Sequence, residues 1–169
     1  FELNPDMGPE GAAVVHYLAR KYGRTPEQVA QGQARIRERG AAVGFAFGDR
    51  PHVWNTFDAH RLLHWAGLEG RALQLKRALL RAYHGEGRNP AAHDVLLELA
   101  TAVGLDAARA RAILEGGEFA AEVRERERLW HERGVGSVPL LVVKGTYAIE
   151  GAETPEGYAR ALRQIAARE

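Results

Sequence analysis

Three small groups of residues have the types and spacing that chemistry uses. The first is "GVGSVPLLVV" at 134–143, where two glycines and a proline lead into an apolar run. Within a sheet a proline gives up a ladder donor, so it is confined to edges, bulges or the first residue of a strand. Pro139 stands at that first position. These residues alone describe either an ordinary loop before a core strand or a loop whose proline borders a cleft. The second group is His60 and His64, four apart on one predicted helix and able to face a common ligand. "HRLLH" lacks the glutamate of the zinc-protease motif, so no metal site is expected and surface or partly buried histidines are the simpler reading. The third is Asn55-Thr56, whose side chains suit the start of a helix with Phe57, Leu62, Leu63, Trp65 and Ala66 on its apolar face.

Composition sets the outer limits. The 169 residues contain no cysteine, which excludes disulfides, thiolate metal sites and a cysteine nucleophile within this stretch. No catalytic residue is therefore assigned inside it. The 23 basic and 22 acidic residues leave a net charge of +1, which argues against nucleic acid or a membrane surface as the main partner. No segment approaches the roughly 18 apolar residues of a membrane span. Residues 1–9 have nothing of a secretory signal, and a cytoplasmic location is expected. Arginine outnumbers lysine 20 to 3, which suggests a GC-rich bacterial genome. No G-x-G-x-x-G follows a strand, so dinucleotide binding lacks support.

The elements that must position these residues are mostly helices. Thr25-Pro26-Glu27-Gln28 reads as an N-cap, a proline at the first helical position and a glutamine completing a capping box, predicting a helix to about Gly40. After the helix opened by Asn55-Thr56, Gly67 and Gly70 are expected to end it. Ala72, Leu75, Leu79, Ala82 and Tyr83 then recur at helical spacing. Asn89-Pro90 and Asp106 each start a further helix, and the charged run 118–134 reads as a solvated helix with Arg128 and Glu132 spaced to pair. After Gly134 the pattern changes. "PLLVV" and "TYAIEG", separated by Lys144-Gly145, predict a tight antiparallel hairpin. Thr154-Pro155-Glu156 caps a last helix. A lone hairpin is marginal in water and requires more sheet, for which "FEL" at the start is the only other strand material.

"FELNPDM", the helical middle, "NTFDAHRLLHWA", "GVGSVPLLVV" and "YAIEGAETPEGYARAL" together resemble the DsbA-like thioredoxin superfamily. Within it the pattern is similar to FrnE-type dithiol-disulfide oxidoreductases, relatives of 2-hydroxychromene-2-carboxylate isomerases and kappa-class glutathione transferases. The resemblance implies an α/β fold: a thioredoxin-like domain with a large helical insertion. Residues 1–7 would then end a thioredoxin-like strand, 8–133 form the insertion and a connecting helix, and 134–169 supply the C-terminal strand-strand-helix part. It further implies that Val138-Pro139 is a cis peptide, with Val138 and Pro139 binding an extended thiol or disulfide substrate, and that Asn55 and Thr56 lie at the cleft.

In one respect the sequence departs from that family, which carries a C-x-x-C at the start of its first long helix, where the helix N-terminus favours the thiolate. The strand, C-x-x-C helix and return strand are expected upstream of residue 1. The function implied is thiol-disulfide exchange or isomerisation on peptides or proteins, without a bound cofactor. Two alternatives stand beside it. One is a glutathione-dependent isomerase or transferase, with glutathione as cosubstrate and serine in place of the first cysteine. The other is a non-catalytic helical binding domain.

Overall fold

The computed structural model describes residues 2–168. They fall into two compact units, 1–125 and 126–169, whereas composition alone put the change at Gly134. The charged helix Ala120–Glu132 (α7) runs through the division, and the composition shift marks that helix's end.

The first unit opens with β1 (Ala12–Ala13), α1 (Val14–Tyr22) and α2 (Pro26–Ala42), followed by β2 (His52–Val53) and α3 (Phe57–Leu68). It continues with α4 (Ala72–Leu80), which runs directly into a π-helical turn at Arg81–Gly85, and then with α5 (His93–Ala102) and α6 (Ala107–Glu115). The capping box before α2 is complete: Gln28 N–H donates to Thr25 Oγ1 at 3.3 Å, and Thr25 N–H donates to Gln28 Oε1 at 3.0 Å. Asp106 caps α6 by accepting from Arg109 N–H at 2.7 Å. The helix expected to start at Asn89-Pro90 starts at His93 instead. Asn89 Oδ1 takes the Ala91 N–H at 2.8 Å, and that side-chain turn competes with the helix for the same backbone.

Leu62, Leu75, Leu96 and Ile113 are the large side chains shut off from solvent entirely. They bring one stripe each from α3, α4, α5 and α6 into a single core, each burial stabilising by about 1.5–3 kcal/mol. β1 and β2 pair antiparallel, Ala12 opposite Val53 and Ala13 opposite His52, a ladder too short for any alternation to show in the sequence. Gly11 makes the approach feasible, because its φ is +66° and a Cβ there would stand 2.3 Å from the Val53 carbonyl oxygen.

Residues 2–7 form no strand. Met7 N–H closes a turn onto the Asn4 carbonyl at 3.1 Å, and the described residues place no strand alongside, without which an extended segment has no ladder to join. Phe1, the first residue of the expected strand material, lies outside the described residues. The segment is held by side chains instead. Arg124 Nη1 lies 2.5 Å from Glu2 Oε2, a carboxylate only 1% exposed, and the same guanidinium sits 3.8 Å from the Phe57 ring centroid.

The second unit contains the end of α7, the hairpin β3 (Leu140–Val143) and β4 (Tyr147–Glu150), and α8 (Pro155–Ala166). Leu140 faces Glu150 and Val143 faces Tyr147, so the connection is Lys144-Gly145-Thr146, one residue longer than the sequence suggests. Lys144 and Gly145 both have positive φ, 53° and 73°, the backbone twist that tight hairpins use. Thr154 caps α8, accepting from Gly157 N–H at 3.1 Å. No hydrophobic side chain of this unit is among the buried core of the described residues. No helix among the described residues is long and apolar enough to cross a membrane.

Candidate functional site

The Val138–Pro139 peptide bond is cis. It follows a glycine-led exit from α7: Gly134, at φ +79°, is bonded through its N–H to the His131 carbonyl at 2.9 Å. Val135 N–H reaches back to the Trp130 carbonyl at 3.0 Å, so the helix is closed off before the loop begins. On the other side the Pro139 carbonyl accepts from Gly151 N–H at 2.9 Å, fixing the loop's exit to the end of β4. Val138 lies between these anchors and is 52% exposed. Its own N–H and C=O enter no hydrogen bond with the described residues. An exposed residue with a vacant donor and acceptor, next to a strand, can take up an extended chain by strand-like pairing.

Asn55 and Thr56 belong to the first unit, Val138 and Pro139 to the second. Asn55 uses both ends of its amide inside the protein. Its Oδ1 accepts from Phe57 N–H at 2.8 Å, and its Nδ2 donates to the Met7 carbonyl at 3.0 Å. One residue thus starts α3 and ties down the 2–7 segment. Thr56 occupies the N-cap position without a side-chain cap bond, contributing instead its carbonyl to His60 N–H at 3.0 Å. The capping role falls to the asparagine one residue earlier than the usual position.

His60 and His64 lie one turn apart on α3. His64 lies against Phe119 at 5.1 Å between ring centroids, and its Nδ1 is buried with no hydrogen-bond partner among the described residues. No group of three or more His, Asp or Glu gathers there or elsewhere in the described residues.

A polar cluster that sequence reasoning did not single out lies on the same helix. Arg61 is 4% exposed. Its Nε donates to the Glu118 carbonyl at 2.9 Å and its Nη1 to Asp58 Oδ1 at 2.7 Å. Nη2 reaches the carbonyls of Ile113 and Gly116. Asp58 gives its other oxygen to His93 Nε2 at 2.8 Å. The Glu118 side chain pairs with Arg109, and that hydrogen bond holds its carboxyl below the usual range. Asp58 and Arg61 at i,i+3, the arginine set among apolar positions, are the sequence signal that marked this cluster. Arg61 satisfies the backbone carbonyls around the C-terminus of α6, while His93 and Asp58 stay 46% and 29% exposed at its edge, so the buried arginine's role is structural.

The model of the DsbA-like thioredoxin domain matches residues 1–163. The chain belongs to the DsbA-like thioredoxin family. Among solved structures, the crystal structure of a probable DsbA oxidoreductase from Streptomyces coelicolor superposes with a TM-score of 0.92 at 36% identity. The match covers 100% of this chain and 74% of that one. No curated protein matches. The helix-rich α/β arrangement of this DsbA-like chain is thus a thioredoxin-family fold, as the order of its motifs implies.

Proposed function

We propose that this DsbA-like chain forms the peptide-docking part of a FrnE-type thiol-disulfide oxidoreductase whose redox thiols come from outside these 169 residues. The observation that carries the reading is Val138, half exposed two residues before β3 and with its backbone N–H and C=O unengaged. Family membership supports the reaction class. The absence of cysteine from the sequence requires the sulfur chemistry to be supplied elsewhere, since a thiolate must attack a disulfide sulfur and expel the second sulfur as a thiolate. In that exchange Val138 holds a substrate backbone extended while the incoming thiolate forms a mixed disulfide with it.

The test uses the full natural protein. Reduction of insulin by glutathione, which is oxidised to its disulfide in turn, is compared with reduction of a small linear disulfide such as hydroxyethyl disulfide, in wild type and in Val138→Pro, which removes the N–H. One lost backbone hydrogen bond corresponds to a roughly three- to tenfold rise in KM for insulin, with the small disulfide unaffected. Equal losses on both substrates would sink the docking role. A serine in place of the first cysteine, with binding of glutathione and no insulin reduction, would transfer the fold to the glutathione-dependent branch.

A further inference from the structure

A pocket of about 100 Å³ lies between α2, the segment 45–50 and the π-helical turn, lined by Gln33, Ile36, Arg37, Phe47, Arg50 and His84. Its walls are held by backbone contact. Gly48 N–H donates to the His84 carbonyl at 3.0 Å, and a Cβ on Gly48 would stand 2.0 Å from the Gly85 carbonyl oxygen. Only glycine permits this approach. The π-helical turn itself is a rare backbone form that recurs at functional sites, and it is what places His84 at the pocket with its ring 5.8 Å from Phe47.

The charge inside is unbalanced. Arg37 is matched by Asp49 at 3.2 Å. Arg50 has no carboxylate partner among the described residues. It donates to the Tyr83 hydroxyl at 3.3 Å and lies 5.1 Å from that ring's centroid, while the Tyr83 hydroxyl donates to the His52 carbonyl at 3.1 Å. A guanidinium carries five N–H donors, and a half-buried one facing a single neutral oxygen has charge and donors to spare.

We propose that this pocket binds the anion of a short-chain monocarboxylic acid, its carboxylate on Arg50 and its hydrocarbon body against Ile36 and Phe47. One uncompensated positive charge matches one negative charge. A phosphate dianion would be under-neutralised and would leave the apolar wall unused. The space is about two-thirds of an engineered cavity of roughly 150 Å³ that accepts benzene, which limits the body to a few carbon atoms. Arg50 also supplies a reporter. Burial, and secondarily the charge of Arg50, hold His84 at about 4. The other charged or titratable groups beside it are Arg37, which lines the same pocket, and Tyr83, whose ring centroid is 4.8 Å away. A carboxylate seated on Arg50 would offset that guanidinium's field and raise the His84 value.

The experiment is an NMR titration of the protein with isobutyrate, beside uncharged isobutyramide and inorganic phosphate, following the Gly48 amide and the His84 ring. Isobutyrate is expected to give saturable shifts with a Kd on the order of millimolar and an upward shift of the His84 titration. Arg50→Gln is expected to weaken it roughly tenfold or more. Should that variant fail to fold, the His84 titration of the wild type with and without isobutyrate decides alone. Isobutyramide or phosphate binding as tightly as isobutyrate, an unmoved His84 titration, or unsaturable shifts at these residues would overturn the proposal.

Discussion

The guanidinium of Arg61 donates to the backbone carbonyl of Ile113, a residue 52 positions further along the chain. Around that bond Arg61 also satisfies the carbonyls of Gly116 and Glu118 and the carboxylate of Asp58, so one side chain closes the C-terminus of α6 against α3. Replacing it by methionine fills similar volume but leaves the carbonyls and Asp58 without their donor. Each buried group stranded in this way costs about 1–3 kcal/mol. Arg61→Met is therefore expected to lower stability by about 3–5 kcal/mol in urea denaturation. A loss below about 1 kcal/mol, the level of an ordinary surface substitution, would show that water replaces the guanidinium.

Arg61 also marks where the sequence was legible and where it was not. Capping residues are local, so Thr25, Asp106 and Thr154 announced their helices correctly, and the hairpin followed from two β-prone runs around Lys144-Gly145. Long-range polar contacts leave no periodic trace. Nothing near Arg61 indicates that three of its four partners lie beyond residue 112. Residues 2–7 form no strand for the related reason that a strand is defined by its neighbour, and the β1–β2 pair leaves no trace in the sequence because two residues carry no alternation. At the site, Pro139 was prominent for its chemistry, while Asn55 showed its capping acceptor but not its bond to Met7.

His84 makes stability depend on pH, and its direction is fixed by the sign of the shift. The folded value of about 4 lies below the ordinary 6.5, so the unfolded chain takes up the proton first. The contribution is complete above pH 6.5 and is lost as pH falls from there toward 4. After allowance for solvent screening at this partly exposed ring, the loss is about 1–2 kcal/mol. Urea midpoints at pH 7, 5.5 and 4.5 are expected to fall more steeply for the wild type than for His84→Gln. Parallel curves for the two proteins would exclude His84 as the source.

The two units differ in what holds them. Leu62, Leu75, Leu96 and Ile113 anchor the first, whereas Leu141 and Leu162 of the second remain 40% and 42% exposed and β3–β4 is the only sheet among its described residues. Local opening is easiest where buried apolar contacts are few. In hydrogen exchange on the 169-residue chain, amides of β3 and β4 are expected to lose protection at least about tenfold faster than those of α3 and α6, a gap of roughly 1.4 kcal/mol in opening free energy. Uniform protection across both would contradict this difference.

Asn55 separates a structural role from a role in substrate contact. Its acceptor oxygen starts α3 through Phe57 N–H and its amide donates to the Met7 carbonyl, so the two halves of one side chain serve two different segments. Asn55→Ala removes both, with an expected cost of about 1–3 kcal/mol from the lost cap and the lost hydrogen bond together. Asn55→Asp keeps the acceptor and gains favourable charge at a helix N-terminus, but sets a carboxylate against the Met7 carbonyl. Its cost at pH 7 is expected to be smaller than that of alanine. Acidification protonates the new carboxyl and restores a donor, so the deficit of the aspartate variant relative to wild type should narrow as pH falls through about 4. Differential scanning calorimetry at pH 7 and pH 4 measures both differences. If alanine and aspartate are both neutral in stability, the hydrogen bonds seen at Asn55 contribute nothing to folding, and its place at the start of α3 must be explained by contact with substrate.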